Sequence, residues 1–272
     1  MSTRIALHGG GMMGGAILAG ILRGSSSPDE ISVVEASSER ADLLRQRYGV
    51  AVVGPDALAD VAAAAIHVVA VKPHHAPGVL RALAPHLSDG ALVVSVVAGL
   101  TTDTLERDLP AGTPVVRVMP NTPALVGAGA AATSRGAHAT AEHAATVADL
   151  LAGTGLVVEV PEAQQNAVTA LSGSGPAYVF AVVEALVDGG VLLGLPRPTA
   201  TRLAVQTLRG AAAMLEETGE HPTILREQVT SPGGTTAAAL RELEEYGLKA
   251  AFLTAMRANV DRSEEIAAAN ED

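Results

Sequence analysis

Two kinds of segment in this chain bring together residues able to hold anions. Near the start, residues 4–15 read RIALHGGGMMGG, so Gly9, Gly11 and Gly14 fit the spacing G-x-G-x-x-G. A short apolar run precedes the motif and an apolar helical pattern follows it. Glycines at that junction allow a tight turn and let backbone N–H groups approach a pyrophosphate at a helix N-terminus. The next apolar run ends at Glu35, followed by Ser37, Ser38 and Arg40. An acid there accepts hydrogen bonds from ribose hydroxyls and repels a 2′-phosphate, whereas serines and an arginine welcome one. The two signals oppose each other, and both NADH and NADPH fit. Late in the chain, QVTSPGGTTAAAL opens a helical pattern with Ser231, Gly233, Gly234, Thr235 and Thr236. Small residues, hydroxyls and free N–H groups at a helix start suit a carboxylate, with ordinary helix capping as the alternative.

Other segments add candidates. Lys72, followed by Pro73, is an isolated cation ending the run VVAV, placed to reach a cofactor at the carboxyl edge of a sheet. In MPNTP, Pro120 and Pro123 stiffen a loop around Asn121, whose amide can hold a nicotinamide carboxamide or the substrate. LSGSGPAY places Ser172, Gly173, Ser174 and Gly175 before a helix expected to begin near Pro176, a second candidate anion seat. The eight histidines show no ligand spacing, and His74 and His75 are adjacent, so no metal site is expected.

Positioning these residues falls to two kinds of structure. Candidate strands are Arg4–His8, Ile31–Glu35, Ile66–Val71, Leu92–Val96, Pro114–Met119 and Leu156–Val160, with helical patterns near 12–23, 38–48, 56–64, 75–87, 101–108 and 138–152 between them. That alternation predicts a mainly parallel sheet covered on both faces. VVAV and LVVSVV lack polar alternation, as central strands do. From about Glu162 the β-branched runs give way to helices expected at Ala177–Leu193, Arg197–Glu217 and Thr236–Ala269. The expected division is therefore an α/β dinucleotide-binding domain over 1–160 and an all-α domain over 161–272. AYVFAVVEALVDGGVLLG is apolar on most faces, which predicts a helix buried by a partner subunit.

Composition narrows the partners. A net charge of −11 opposes phosphate backbones and anionic lipid, and three Tyr with two Phe offer no stacking platform for nucleic acid. Without cysteine there is no disulfide and no thiolate chemistry, which is compatible with a cytoplasmic protein. The first residues do not read as a signal peptide, and no run of 18 apolar residues free of charge, Pro or Gly is seen.

In order, GGGMMG, VVAVKP, VVAGL, RVMPNTPALVGAG, LSGSGPAYVF, GLPR and VTSPGGTTAAAL make the chain resemble the pyrroline-5-carboxylate reductase family from Ile5 to about Ile266. The resemblance implies a Rossmann-type domain followed by a helical domain that dimerises by interleaving, with dimers able to form rings. It implies an active site between the cofactor cleft and the helical dimer, and reduction of a cyclic imine acid to proline, the last step of proline biosynthesis. Cofactor contacts are implied at Gly9, Gly10, Gly11, Met12 and Met13; at Glu35, Ser37 and Asp56; and at Ala70, Val71, Lys72, Pro73, Ala98 and Asn121. Substrate contacts are implied at Glu162, Ser231, Gly233, Gly234 and Thr235, with Thr236 matching the threonine whose hydroxyl faces the imine nitrogen. Glu35 stands where many members carry a small hydroxyl residue, and Asp56 where an amide is common. Two other readings share the layout. A β-hydroxyacid dehydrogenase-like enzyme would need a lysine in the first helices of the second domain, yet residues 161–248 contain none. A non-catalytic dinucleotide sensor would keep the fold without turnover.

Overall fold

Three strands set the centre of the molecule: β1 (Ile5–His8), β4 (Ile66–Val69) and β5 (Leu92–Ser95), each buried at all four positions. The computed structural model describes residues 5–24 and 26–269. Around these strands lie β2 (Ile31–Val34), β3 (Ala51–Val53), β6 (Val115–Met119), β7 (Gly129–Arg135) and β8 (Gly155–Glu159), giving an eight-stranded sheet in the order 3-2-1-4-5-6-7-8. All pairs are parallel except β6 with β7. The order reverses between β1 and β4, and open parallel sheets bind ligands at such a reversal, beyond the carboxyl ends of the strands.

The crossovers are α1 (Met12–Arg23), α2 (Ser38–Tyr48), α3 (Ala76–Leu83), α4 (Thr102–Arg107) and α5 (Ala141–Leu151). The core beneath them is aliphatic, with Leu7, Ile17, Leu18, Ile31, Val68 and Leu151 among its fully enclosed members. Two strands lay outside the sequence expectation. β3 is a three-residue edge strand, and β7, GAAATSR, carries one β-branched residue and is accepted into the sheet because its small side chains fit a close approach. A Cβ on Gly129 would stand 2.8 Å from the Thr154 carbonyl oxygen. The segment expected as a helix near 56–64 is a 3₁₀ stretch, Pro55–Val61, kinked at Ala57.

Beyond β8 the chain is helical: α6 (Gln165–Val168), α7 (Gly175–Leu192), α8 (Arg197–Thr218), α9 (Pro222–Gln228), α10 (Thr235–Glu245) and α11 (Leu248–Ala269). The helix expected over Thr236–Ala269 is two helices, because Gly247 adopts φ +71° after Tyr246 and ends the first. Two compact units result, Met1–Pro176 with Asn259–Asp272, and Ala177–Ala258.

The second unit has little core of its own. Its buried cluster is Val187, Ala200 and Ala204, flanked by Val183 and Val191. Phe180, Leu186, Leu192, Leu203 and Leu253 are exposed. Glu162–Leu192 is a helical run long and apolar enough to cross a membrane by length and composition, although Glu184, Asp188 and several glycines interrupt it. The core helix of a water-soluble assembly meets the same test.

The sheet hides one ionisable pair. His8 on β1 and His67 on β4 are fully buried, with His8 Nε2 3.1 Å from His67 Nδ1, so one nitrogen donates to the other. Their outer nitrogens have no protein partner. Burial, and then the neighbouring His67, lowers the His8 pKa to about 3; burial lowers that of His67 to about 4, against a weaker opposing pull from the Ala64 backbone. Both values lie below that of the unfolded chain, near 6.5, so on acidification the unfolded chain binds protons first. The fold keeps its full stability above that value and loses it as pH falls toward 4 and then 3. Denaturant titration at about pH 5 should show a loss relative to neutral pH on the order of 2 kcal/mol per histidine. A His67→Asn variant should lose part of that slope.

Candidate active site

At the carboxyl end of β1 the chain turns with no room for side chains. Gly9 adopts φ +102°, and a Cβ there would lie 2.7 Å from the Ala70 carbonyl oxygen. A Cβ on Gly14 would collide with the Gly9 carbonyl oxygen. Gly9 N donates to Val34 O at 2.9 Å and Ala70 N to His8 O at 2.8 Å, which fixes the turn between β2 and β4. Gly11 is the N-cap of α1 and supplies no side-chain cap. The N–H groups of the first helical turn therefore face outward with the positive end of the helix. This cradle fits a dinucleotide pyrophosphate.

The remaining cofactor candidates gather at the same strand ends. Glu35 follows β2, and its carboxylate accepts from Gly10 N at 2.9 Å and from Ser37 N at 2.8 Å. Ser37 also caps α2, its hydroxyl accepting from Arg40 N at 3.3 Å. Val71 stands beside Gly9, a side-chain carbon lying 3.0 Å from where a Cβ would be. Lys72 and Asp56 are exposed after β4 and β3, Ala98 is exposed in the loop after β5, and Met12 is largely exposed on α1. Asn121 is buried and already engaged: Oδ1 accepts from Ala130 N at 2.9 Å and Nδ2 donates to Ser172 O at 3.0 Å. Its amide thus ties the loop after β6 to β7, leaving one Nδ2 hydrogen uncommitted.

The helix expected near Pro176 begins at Gly175, but the segment ahead of it is not an open loop. Thr169–Gly173 form a π-helical turn leading into α7, with Ser174 N donating to Thr169 O at 2.8 Å. The Ser174 N–H, one of the donors a helix start would offer to an anion, is therefore used internally. The small residues serve packing instead: a Cβ on Gly173 would come within 2.5 Å of the Met119 side chain.

Glu162 lies in a polar cluster that sequence reasoning resolved only in part. Its carboxylate accepts from Thr102 N at 2.7 Å, Thr102 Oγ1 at 2.5 Å and Arg117 Nη1 at 3.2 Å. Thr102 and Arg117 are buried. Glu162 and Arg117 line a cavity of about 520 Å³ with Gly99, Thr101, Asp103, Arg107 and Asn166. Arg117 was legible as the one charge inside the β-branched run VVRVM; its link to Glu162 was not.

In the second unit, SPGGTT forms a turn with Gly233 at φ +65° and Gly234 N donating to Ser231 O at 3.0 Å. Gly234 is the N-cap of α10 and gives no side-chain cap. Elsewhere threonines within or just after helices direct their hydroxyls back along the helix: Thr169, Thr201, Thr207, Thr218 and Thr230 each donate to the carbonyl four residues earlier. Thr235 and Thr236 lie in the first turn, with no helical carbonyl behind them. Among the described residues their hydroxyls have no partner, and they sit beside the unpaired N–H groups of the helix start.

Residues 162–266 match the family described as pyrroline-5-carboxylate reductase dimerisation, and residues 4–99 match the family described as NADP oxidoreductase, coenzyme F420-dependent. Over 267 residues the chain is 46% identical to a pyrroline-5-carboxylate reductase of Corynebacterium melassecola, covering 97% of this chain and 98% of that protein. The chain belongs to the pyrroline-5-carboxylate reductase family. A solved member from Coxiella burnetii superposes with a TM-score of 0.91 at 36% identity, over 98% of this chain and 99% of its own. Another, from Plasmodium falciparum with NADP bound, gives 0.87 at 29% identity over 97% of this chain and 98% of its own. The family places an NAD(P)H-binding α/β domain ahead of a helical dimerisation domain, in agreement with the expected fold class.

Removing Glu162 leaves the buried Arg117 charge without its partner. Glu162→Ala should therefore lower stability by about 3 kcal/mol in urea denaturation, while Glu162→Gln, which keeps an acceptor for Thr102, should lose less.

Proposed function

We propose that this chain reduces L-1-pyrroline-5-carboxylate to L-proline with a hydride from NAD(P)H, the last step of proline biosynthesis. The observation that carries this reading is similarity along nearly the whole chain to a reductase of that name, 46% identical over 97% of it. Bound at the glycine turn, a reduced nicotinamide supplies the hydride. The residues assigned to the cofactor are Gly9, Gly10, Gly11, Met12 and Met13 at the turn, Glu35, Ser37 and Asp56 on the adenosine side, and Ala70, Val71, Lys72, Pro73, Ala98 and Asn121 around the strand ends.

The substrate carboxylate is assigned to the turn Ser231–Thr236. The free N–H groups of Thr235 and Thr236 carry the positive end of α10, and Gly233 and Gly234 leave them uncovered. Glu162 is assigned to the substrate side through the cavity it lines. Reduction places hydride on C5 of the C=N bond and a proton on its nitrogen. A protonated imine is the better hydride acceptor, and the Thr236 hydroxyl, having no competing partner, is free to hydrogen-bond that nitrogen and orient the ring. A hydroxyl is a poor acid, so its role is to position the ring and stabilise its charge, the proton coming from water or with the substrate. Holding donor and acceptor in contact supplies much of the barrier reduction in such a reaction.

The second copy that the dimerisation domain requires is assigned to the exposed apolar faces of α7, α8 and α11. Phe180, Leu186, Leu192, Leu203 and Leu253 expose apolar surface of the kind an obligate interface covers. Dimers of this kind are able to assemble further into a ring. As a biosynthetic enzyme drawing on the cellular pool of reduced nicotinamide, the protein is placed in the cytoplasm.

Purified protein should consume NADH or NADPH when given pyrroline-5-carboxylate and release proline; no turnover with either would end this reading in favour of a non-catalytic sensor. Thr236→Ala should lower kcat by about 100-fold or more with cofactor affinity unchanged in a fluorescence titration. Light scattering should give twice the 27.4 kDa chain mass or an even multiple of it; a monomer at micromolar concentration would remove the interface assignment.

A further inference from the structure

Whether the adenosine ribose carries a 2′-hydroxyl or a 2′-phosphate depends on the residues after β2, given that the glycine turn binds a dinucleotide. Glu35 is half-buried and its carboxylate is held at both oxygens, Oε2 by Gly10 N–H at 2.9 Å and Oε1 by Ser37 N–H at 2.8 Å. Backbone donors that converge in this way form an anion seat. The chain has filled that seat with its own anion. Each carboxylate oxygen keeps a further lone pair, so the same group accepts ribose hydroxyls. A phosphate brought to the same place meets a fixed negative charge and finds both N–H groups taken.

Arg40 is the opposing group. One of its Nη atoms lies 3.2 Å from where a Cβ on Gly11 would be, so the guanidinium stands at the same rim. It is exposed, and among the described residues its side chain has no hydrogen-bond or ion-pair partner. Ordering a long free side chain costs rotamer entropy, and an exposed charge is screened by salt. Glu35, already immobilised, pays neither cost.

We propose that Glu35 is a built-in occupant of the 2′-phosphate seat, which makes NADH the preferred cofactor. Its removal opens an NADPH seat made by the Gly10 and Ser37 N–H groups, the Ser37 hydroxyl and Arg40.

The test is calorimetric titration of the intact protein with NADH and with NADPH, no imine present, for the native chain, Glu35→Ser and Glu35→Ser/Arg40→Ala. The native chain should bind NADH at least about tenfold tighter than NADPH. Glu35→Ser should bind NADPH at least about tenfold tighter than the native chain does and invert the preference, and the added Arg40→Ala should cancel most of that gain. If Glu35→Ser does not fold, Glu35→Gln decides: it keeps an acceptor oxygen and loses the charge, so the two affinities should converge. Equal or tighter binding of NADPH by the native chain, or a ratio unmoved by loss of the Glu35 charge, overturns the proposal. Intact cofactor binding without turnover would count against the imine reaction alone.

Discussion

The close approach of backbone to backbone at the end of β1 is the constraint on which the first unit depends. Gly14 on α1 sits against the Gly9 carbonyl, and Gly9 in turn sits against the carbonyl of Ala70 after β4. No residue with a side chain satisfies both contacts, and Gly9 also requires a positive φ. The result is a helix whose first N–H groups have no partner in the protein and whose dipole has no side-chain cap. An anion is what completes such an end. Glu35 supplies one carboxylate to the loop from the side, at Gly10, and leaves the end of α1 itself for a pyrophosphate.

The second unit has the opposite problem. Its helices carry more apolar surface than its own fold encloses, and α7 is apolar on nearly every face while only Val187 along it is buried. Exposed apolar area disfavours an isolated chain by roughly 25 cal/mol for each Å² left in water. A core as small as Val187, Ala200 and Ala204 offsets little of the entropy of ordering these helices. The family's dimerisation match over 162–266 falls on the same segment, and a second copy would cover these faces.

Where the sequence was legible, one physical signal dominated. Ile-, Leu- and Val-rich runs without alternation gave β1, β4 and β5 because a strand buried on both faces has no reason to alternate. The glycine spacing gave the nucleotide turn because only glycine meets its steric demands. β7 escaped because GAAATSR is selected for smallness rather than β-propensity, its start pressed against Ala124 and Thr154. LSGSG was ambiguous for a related reason: small residues mark close packing as readily as they mark an anion seat, and here Met119 is a neighbour of Gly173. The Arg117–Glu162–Thr102 cluster joins positions 45 and 60 residues apart, and no local pattern encodes such a contact.

The threonines show how position in a helix decides what a hydroxyl can do. Thr230, six residues before Thr236, donates to the carbonyl of Arg226 at 2.6 Å and is chemically satisfied. Thr236 has the same side chain in the first turn of α10, where the residue four places back is Pro232, outside the helix. Its hydroxyl stays uncommitted because the chain turns at Gly233, and that turn also uncovers the helix N–H groups beside it. On the proposed assignment, a small zwitterionic ring, cationic at nitrogen and anionic at its carboxylate, matches an oxygen lone pair next to amide donors. An uncharged ring or a bare dianion would satisfy only half of it. Under that assignment, the two glycines of SPGGTT serve the same end as those after β1: both leave a helix end uncapped by its own protein.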